Sequence, residues 1–162
     1  MALPVPAGPE IARAHRLTGV DISARQLALA REAVPEGAFV HADAATVDFP
    51  QSSLDAVVSF YAFDHIPRAE WSALLRGIRG WLRPGGWLLF SVEDADQPGT
   101  FGAWLGVRMY FSSFELEATR RLVEEQGFEV LVAETEVQQE TAPGGSAVEV
   151  PYVWIRARRP VA

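Results

Sequence analysis

The chain of 162 residues contains no cysteine, and no apolar run approaches the roughly 20 residues that a membrane span requires. Without cysteine, disulfide bonds and thiolate metal sites are excluded, and the cytoplasm is the default compartment. The first ten residues, MALPVPAGPE, carry neither a basic segment nor a long apolar stretch, which argues against a signal peptide. These absences predict a cytoplasmic protein with no membrane partner.

Positive charge is scarce, and lysine is absent. All 14 basic residues are arginine, and the 21 acidic residues bring the formal net charge to −7. Because such a charge repels a phosphate backbone and no basic run offers a local exception, nucleic acid is not expected as a partner. A cationic small molecule or cofactor meets no such barrier. The length fits one domain over residues 1–162.

Strand-like and helix-like segments alternate along the chain. Strands are predicted near 16–21, 38–42, 54–61 and 86–92, and Ser23 opens a helix after the first of them in a capping-box pattern. Alternation of this kind is typical of parallel sheets with helical crossovers. The order therefore predicts an α/β fold with a mostly parallel sheet.

The second half of the chain adds a long helix and a terminal hairpin. An apolar stripe at helical spacing predicts the helix, which Pro84-Gly85-Gly86 is expected to end; the stripe consists of Trp71, Leu74, Leu75, Ile78 and Leu82. A loop is expected over 94–111, followed by a helix that Ser112 and Glu115 open. Segments 128–138 and 150–158 are expected to pair as the hairpin, which makes the C-terminal strand antiparallel.

The stretch HRLTGVDIS, residues 15–23, places an acid, Asp21, directly after an apolar strand. In nucleotide-type α/β domains such an acid hydrogen-bonds a ribose, and a glycine-rich turn lies about twenty residues upstream. Only MALPVPAGPEIARA stands upstream here, with the single glycine Gly8, and its prolines at positions 4 and 6 argue against a central strand. The usual first strand and glycine loop are therefore expected to be absent, and Gly8-Pro9 is expected to begin a remnant of the first helix.

Several motifs in order resemble the class I S-adenosylmethionine-dependent methyltransferases, in particular their small bacterial members. They are LTGVDIS, HADA, SLDAVVSFYAFDHIP and WLRPGGWLLFS, and the terminal hairpin also fits. The resemblance extends from about His15 to the C-terminus. It implies a Rossmann-like sheet, S-adenosylmethionine as cofactor and a small molecule as methyl acceptor. Members of the family begin with a strand and a glycine-rich turn, so this chain departs from the family at its start.

The resemblance implies an adenosine site at the ends of two strands. Asp21 would accept hydrogen bonds from the ribose hydroxyls, and Ile22 would pack on one face of the adenine. Asp43 would accept the exocyclic amine of the adenine, with the backbone amide of Ala44 beside it. The alternative is that Asp21 and Asp43 each only begin a turn or cap a helix, since Asp does both.

The resemblance also implies a methionine and acceptor side after the fourth strand of the family. Ser59 and Tyr61 would line the methionine portion. His65 is a candidate general base, with Asp64 nearby to orient it, and the alternative is a loop histidine that packs under the next helix. The acidic run EDAD, 93–96, is interpreted as acidic loop composition rather than as a metal site, so no metal is expected.

The missing glycine loop leaves two explanations, a start codon placed too far downstream or a real truncation. In a real truncation, the strands that end near Asp21 and Tyr61 lose a shared neighbour, and they pair directly, recruit another chain as in a homodimer, or remain as unpaired edges. Methyl transfer would then be impaired. The rival hypothesis is a non-enzymatic remnant that binds a partner through its sheet edges. A nicotinamide-dependent dehydrogenase shares the acid at Asp21 but explains neither HADA nor the hairpin.

Overall fold

A computed structural model describes residues 8–104, 106–141 and 145–161. The chain divides into two compact units, Met1–Val47 and Asp48–Ala162. The expectation of one domain over 1–162 stays a prediction.

The first unit consists of two short helices and a two-stranded parallel sheet. Its elements are α1 (Gly8–Ala12), β1 (Thr18–Asp21), α2 (Ala24–Ala33) and β2 (Ala38–His41). Ser23 caps α2, as predicted, because its side chain accepts a hydrogen bond of 3.3 Å from the amide of Gln26. The strands pair from Thr18 opposite Ala38 to Asp21 opposite His41. Their carboxyl ends therefore lie at the same edge of the sheet.

The second unit contains the remaining strands and helices. They are β3 (Leu54–Ser59), a 3₁₀ helix (Phe63–His65), α3 (Arg68–Trp81), β4 (Leu82–Glu93), β5 (Gln97–Trp104), β6 (Val107–Ser113), α4 (Leu116–Glu125), β7 (Glu129–Thr141) and β8 (Ala147–Arg158). A four-stranded sheet has the order β3-β4-β8-β7, and β5 and β6 form a separate two-stranded sheet. Strands β3 and β4 are parallel, whereas β8 is antiparallel to both of its neighbours.

The predicted fold class is confirmed by these pairings. Of the four strands predicted to be parallel, β1 pairs with β2 and β3 pairs with β4 in parallel, and the C-terminal strand β8 is antiparallel to β4, as predicted. Among the described residues β3 pairs with β4 alone, and Val58 of β3 is 40% exposed. The class is α/β, and the four-stranded sheet contains both parallel and antiparallel pairs.

The prediction of a loop over 94–111 was wrong, because most of this segment forms the β5–β6 hairpin. Pro98, Gly99 and Gly102 weaken the strand pattern of β5 in the sequence. At Gly99 the backbone has a φ of +146°, and a Cβ atom there would lie 2.3 Å from the hydroxyl of Tyr110. The same glycine that obscures the strand is thus required for the hairpin to pack.

The C-terminal end of α3 and the start of α4 also differ from the predictions. Helix α3 ends at Trp81, and Pro84-Gly85-Gly86 belongs to β4, where the backbones of Gly85 and Gly86 bond to Arg159. Ser112 does not open α4, because its hydroxyl donates to the carbonyl of Ile66 at 2.7 Å. Long-range pairing decided both boundaries, and local sequence signals do not carry that information.

The core of the second unit lies between α3 and the four-stranded sheet. The predicted stripe of α3 is buried along its whole length. It packs with buried residues of the 3₁₀ helix, β4, α4 and β8; the largest fully buried side chains include Trp71, Phe63, Phe90, Leu75, Leu82, Leu88, Val92, Val123 and Val153. A sheet held this firmly fixes the residues that follow the carboxyl ends of β3 and β4.

Candidate functional site

Two carboxylates lie at the carboxyl edge of the β1–β2 sheet. One oxygen of Asp21 accepts the amide of Ser23 at 2.7 Å, and one oxygen of Asp43 accepts the amide of Ala45 at 2.8 Å. Each aspartate therefore forms the turn that the alternative interpretation expected. Among the described residues, the second oxygen of each carboxylate has no hydrogen-bond donor, so both carboxylates are oriented and still able to accept.

The turn after β1 exposes an apolar side chain beside these carboxylates. Ile22 is 70% exposed, whereas Ala44 is only partly so. The carbonyl of Ile22 faces Nε2 of His41 at 2.8 Å. Because a carbonyl only accepts, the His41 nitrogen that faces it carries a proton. The sequence did not single out His41, because its position opposite Asp21 depends on the register of the two strands.

Tyr61, in the second unit, follows β3 in a strained conformation. Its φ is +54°, in the left-handed region that a residue other than glycine enters at a cost of about 1 kcal/mol. Its amide donates to the hydroxyl of Ser91 at 3.2 Å, and its own hydroxyl donates to Gln138 at 2.9 Å. Ser59 ends β3 opposite Phe90. Both residues predicted to line the methionine portion thus lie at the carboxyl end of β3.

His65 is held by the β5–β6 hairpin. Its Nδ1 donates to the carbonyl of Tyr110 at 2.9 Å, and its ring meets the ring of Phe111 edge-on at 5.2 Å between centroids. Asp64 instead accepts the amide of Glu93 at 2.8 Å, and no hydrogen bond joins Asp64 to His65 in the described structure. The carbonyl of Tyr110 therefore has the orienting role predicted for Asp64. In the neutral ring, Nε2 remains as the acceptor.

Asp64 belongs to a group of acids around the end of β4. Burial, with the nearby charges of Glu93 and Glu140, raises the pKa of Asp64 from 3.8 to about 7, although the hydrogen bond from the Glu93 amide opposes the shift. Burial and the charge of Glu140 raise the pKa of Glu93. Burial and a hydrogen bond to Glu140 raise the pKa of Tyr152 well above its ordinary value. Perturbed groups of this kind concentrate at functional sites.

The remaining acids of the 93–96 run bind protein groups. Asp94 accepts the amide of Leu116 at 2.9 Å and the hydroxyl of Thr135 at 2.6 Å. Asp96 pairs with Arg68 at 2.6 Å. Within the described ranges, no group of three or more metal-ligating side chains is arranged to hold an ion. Nor does any helix there combine the length and apolar character needed to cross a membrane.

Sequence comparison identifies relatives among methyltransferases. The family model described as a methyltransferase domain matches residues 7–86. An uncharacterized methyltransferase of Synechocystis sp. is 25% identical over 107 residues, which cover 66% of this chain and 50% of that protein. The chain thus spans half the length of the curated relative that it matches.

Solved structures with the same fold carry related descriptions. A S-adenosylmethionine-dependent methyltransferase from Methanosarcina mazei has a TM-score of 0.74 at 17% identity, covering 94% of this chain and 86% of its own. A 1,6-didemethyltoxoflavin-N1-methyltransferase from Burkholderia thailandensis, solved with bound 1,6-didemethyltoxoflavin and S-adenosylhomocysteine, has a TM-score of 0.67 at 21% identity, covering 97% of this chain and 67% of its own.

Fold and sequence together define a methyltransferase domain with a Rossmann-like sheet. The matched domain and the shared fold support the predicted resemblance to the class I S-adenosylmethionine-dependent methyltransferases. The predicted fold class is thereby confirmed.

Proposed function

We propose that this chain transfers a methyl group from S-adenosylmethionine to a small-molecule acceptor and binds the adenosine half of the cofactor through its first unit. The observation that carries the proposal is the pair of carboxylates at the edge of β1 and β2. Each is fixed by one backbone amide and retains an oxygen that can accept from a ligand. Ligands of open α/β sheets bind outside the carboxyl ends of the strands, which is where these two groups lie.

The chemistry of adenosine fits the residues at this edge. A carboxylate can accept two donors at once, which suits Asp21 to the ribose hydroxyls. Asp43 accepts the exocyclic amine of the adenine, and the amide of Ala44 donates to the ring. The exposed side chain of Ile22 offers an apolar surface to one face of the base. Each hydrogen bond to a charged group contributes about 1.5–3 kcal/mol.

The second unit, taken by itself, carries the residues that the resemblance assigns to the methionine portion of the cofactor and to the methyl acceptor. The cofactor, when bound, carries a methyl group activated by a sulfonium. Ser59 and Tyr61 line its methionine portion, and the strain at Tyr61 fits a residue held in place for function. Nε2 of His65 would accept the proton that an oxygen or nitrogen acceptor loses. That acceptor would bond to the methyl carbon as the bond from this carbon to the sulfonium sulfur breaks, with S-adenosylhomocysteine as the leaving group. Asp64 fixes the turn that carries His65, because it anchors the turn to the amide of Glu93.

Calorimetric titration of the full chain with adenosine and S-adenosylhomocysteine tests the adenosine assignment. Asp21→Ala and Asp43→Ala should each weaken both ligands by at least tenfold, since each removes a charge-assisted hydrogen bond. Asp55→Ala is the matched control: it removes an acid that is 75% exposed and paired with Arg83. Asp55→Ala should leave both affinities unchanged.

The opposite result would support the rival hypothesis of a non-enzymatic remnant. If the native chain binds neither ligand, or if Asp21→Ala and Asp43→Ala bind both ligands as the native chain does, the carboxylates only form turns. The chain would then be a methyltransferase fold without the cofactor site.

A further inference from the structure

We propose that His41 is a positioning residue for adenosine, because its imidazole fixes the peptide group that orients the Asp21 carboxylate. This inference rests on the proposed function of the β1–β2 edge. His41 is the last residue of β2, and it lies opposite Asp21 in the parallel register. The carbonyl of Ile22 accepts a hydrogen bond of 2.8 Å from its Nε2.

A single peptide group is held from both sides. The carbonyl of Ile22 and the amide of Ser23 belong to the same planar unit. His41 donates to the carbonyl, and the Asp21 carboxylate accepts the amide at 2.7 Å. Rotation of this peptide plane would break both hydrogen bonds. The imidazole therefore holds the amide in the direction that keeps one oxygen of Asp21 occupied and the other turned to a ligand.

The backbone before this peptide is also fixed. The amide of Ala42 donates to the carbonyl of Asp21 at 3.2 Å, which extends the ladder by one residue beyond the paired strands. Beyond that point the described residues show no further pairing of β1 with β2, and the side chain of His41 bonds to the carbonyl of Ile22 in the turn. The exposed side chain of Ile22 depends on the same peptide for its direction. Both proposed adenosine contacts in this turn are thus coupled to His41.

The contact is independent of the charge of the ring. A neutral imidazole that donates from Nε2 keeps its proton there, and the cationic ring carries a proton on both nitrogens. The hydrogen bond to Ile22 persists in both states. His41 is therefore expected to act as a fixed support, and its contribution to affinity should not require ionisation.

The test compares His41→Leu with His41→Gln in the full chain. Leucine removes the donor and keeps an apolar side chain, whereas glutamine can still donate an N–H to the carbonyl of Ile22. His41→Leu should weaken adenosine and S-adenosylhomocysteine by the same factor, about fivefold, which is the loss of one neutral hydrogen bond. His41→Gln should restore affinity to within about twofold of the native chain. His15→Leu is the control, because His15 is an exposed histidine before β1. It should leave the affinity for both ligands unchanged.

Nitrogen-15 spectra of the histidine rings in the native chain give a second readout that needs no variant. His41 should show a protonated Nε2 and an unprotonated Nδ1 at alkaline pH, and His65 should show the reverse, since its Nδ1 faces the carbonyl of Tyr110. If His41 shows the opposite tautomer, the inference is wrong.

The outcomes separate the inference from the function on which it rests. Native affinity in His41→Leu, combined with a loss in Asp21→Ala, would overturn the role of His41 alone. Native affinity in both variants would overturn the adenosine site itself. Failure of glutamine to restore binding would also contradict the inference, because the donated hydrogen bond would then not be the cause.

Discussion

At the scale of single residues, the least expected group is the carboxyl of Asp64. It is 6% exposed and lies close to Glu93 and Glu140, yet it receives one backbone hydrogen bond and no cation in the described structure. Burying an acid beside other acids favours its protonated form, which is why its pKa rises to about 7. Such a residue lowers the free energy of unfolding at neutral pH. Proteins keep destabilising residues of this kind mainly where function requires them.

The Asp64 carboxyl should make stability depend on pH between its two pKa values. The native state holds the proton up to about pH 7, whereas the unfolded chain releases it near 3.8. The free energy of unfolding therefore falls as pH rises through this window, by on the order of 4 kcal/mol at most for one such group. Asp64→Asn keeps an acceptor for the Glu93 amide and removes the charge. It should unfold at higher urea than the native chain at pH 8 and show a flatter pH dependence.

Asp55→Asn is the control for this comparison, because Asp55 is exposed and its loss of charge should leave the pH dependence as it is. An Asp64→Asn variant that is less stable than the native chain at pH 8 would show that the buried carboxylate stabilises the fold.

At the scale of elements, hydrophobic periodicity predicted most of the fold but not the β5–β6 hairpin. The stripe on α3 and the capped start of α2 are local patterns, and the sequence carries them in full. The need for glycine at position 99 is visible only in the folded hairpin, where Tyr110 packs against Gly99 and leaves no space for a side chain. Because His65 bonds to the carbonyl of Tyr110 in this hairpin, the hydrogen-bond partner of His65 could not be predicted either. Asp21 and Asp43 were predictable as sites because strand ends are visible in sequence, whereas the contact of His41 depends on the register of two strands.

The Asp94 carboxylate joins two elements that are distant in sequence. It accepts the first amide of α4 from Leu116 and the hydroxyl of Thr135 on β7. Asp94→Ala should therefore lower the free energy of unfolding by about 2 kcal/mol, as expected for a helix cap with a second hydrogen bond. Asp96→Ala removes another acid of the 93–96 run. Asp96 pairs with Arg68 at the surface, because the Asp96 side chain is 72% exposed. The effect of Asp96→Ala should stay below about 1 kcal/mol. Urea unfolding of both variants makes the comparison, and equal losses would contradict the capping role of Asp94.

At the scale of the whole molecule, the two units differ in how much core each contains. In the first unit the described buried residues are Gly8, Leu27 and Val34, whereas the second unit buries most of α3 and the centre of its sheet. All five tryptophans lie in the second unit. The first unit, Met1–Val47, is only a little longer than the length of about 40 residues below which a chain usually needs a metal, disulfide or partner to fold. The carboxylates proposed to bind adenosine thus belong to the unit with the smaller core of its own.

This asymmetry predicts different behaviour for the two units as separate fragments. Residues 48–162 should fold alone, because Trp81 bonds Asp48 at 2.8 Å and packs on Phe49, which secures the new amino terminus. Residues 1–47 should be largely unfolded in isolation. Circular dichroism of each fragment, with urea unfolding of 48–162 followed by tryptophan fluorescence, makes the measurement, and a non-cooperative transition in 48–162 would contradict the prediction.

The folded fragment 48–162 should also fail to bind adenosine in calorimetry, since Asp21 and Asp43 are absent from it. Binding as tight as that of the full chain would move the adenosine site into the second unit.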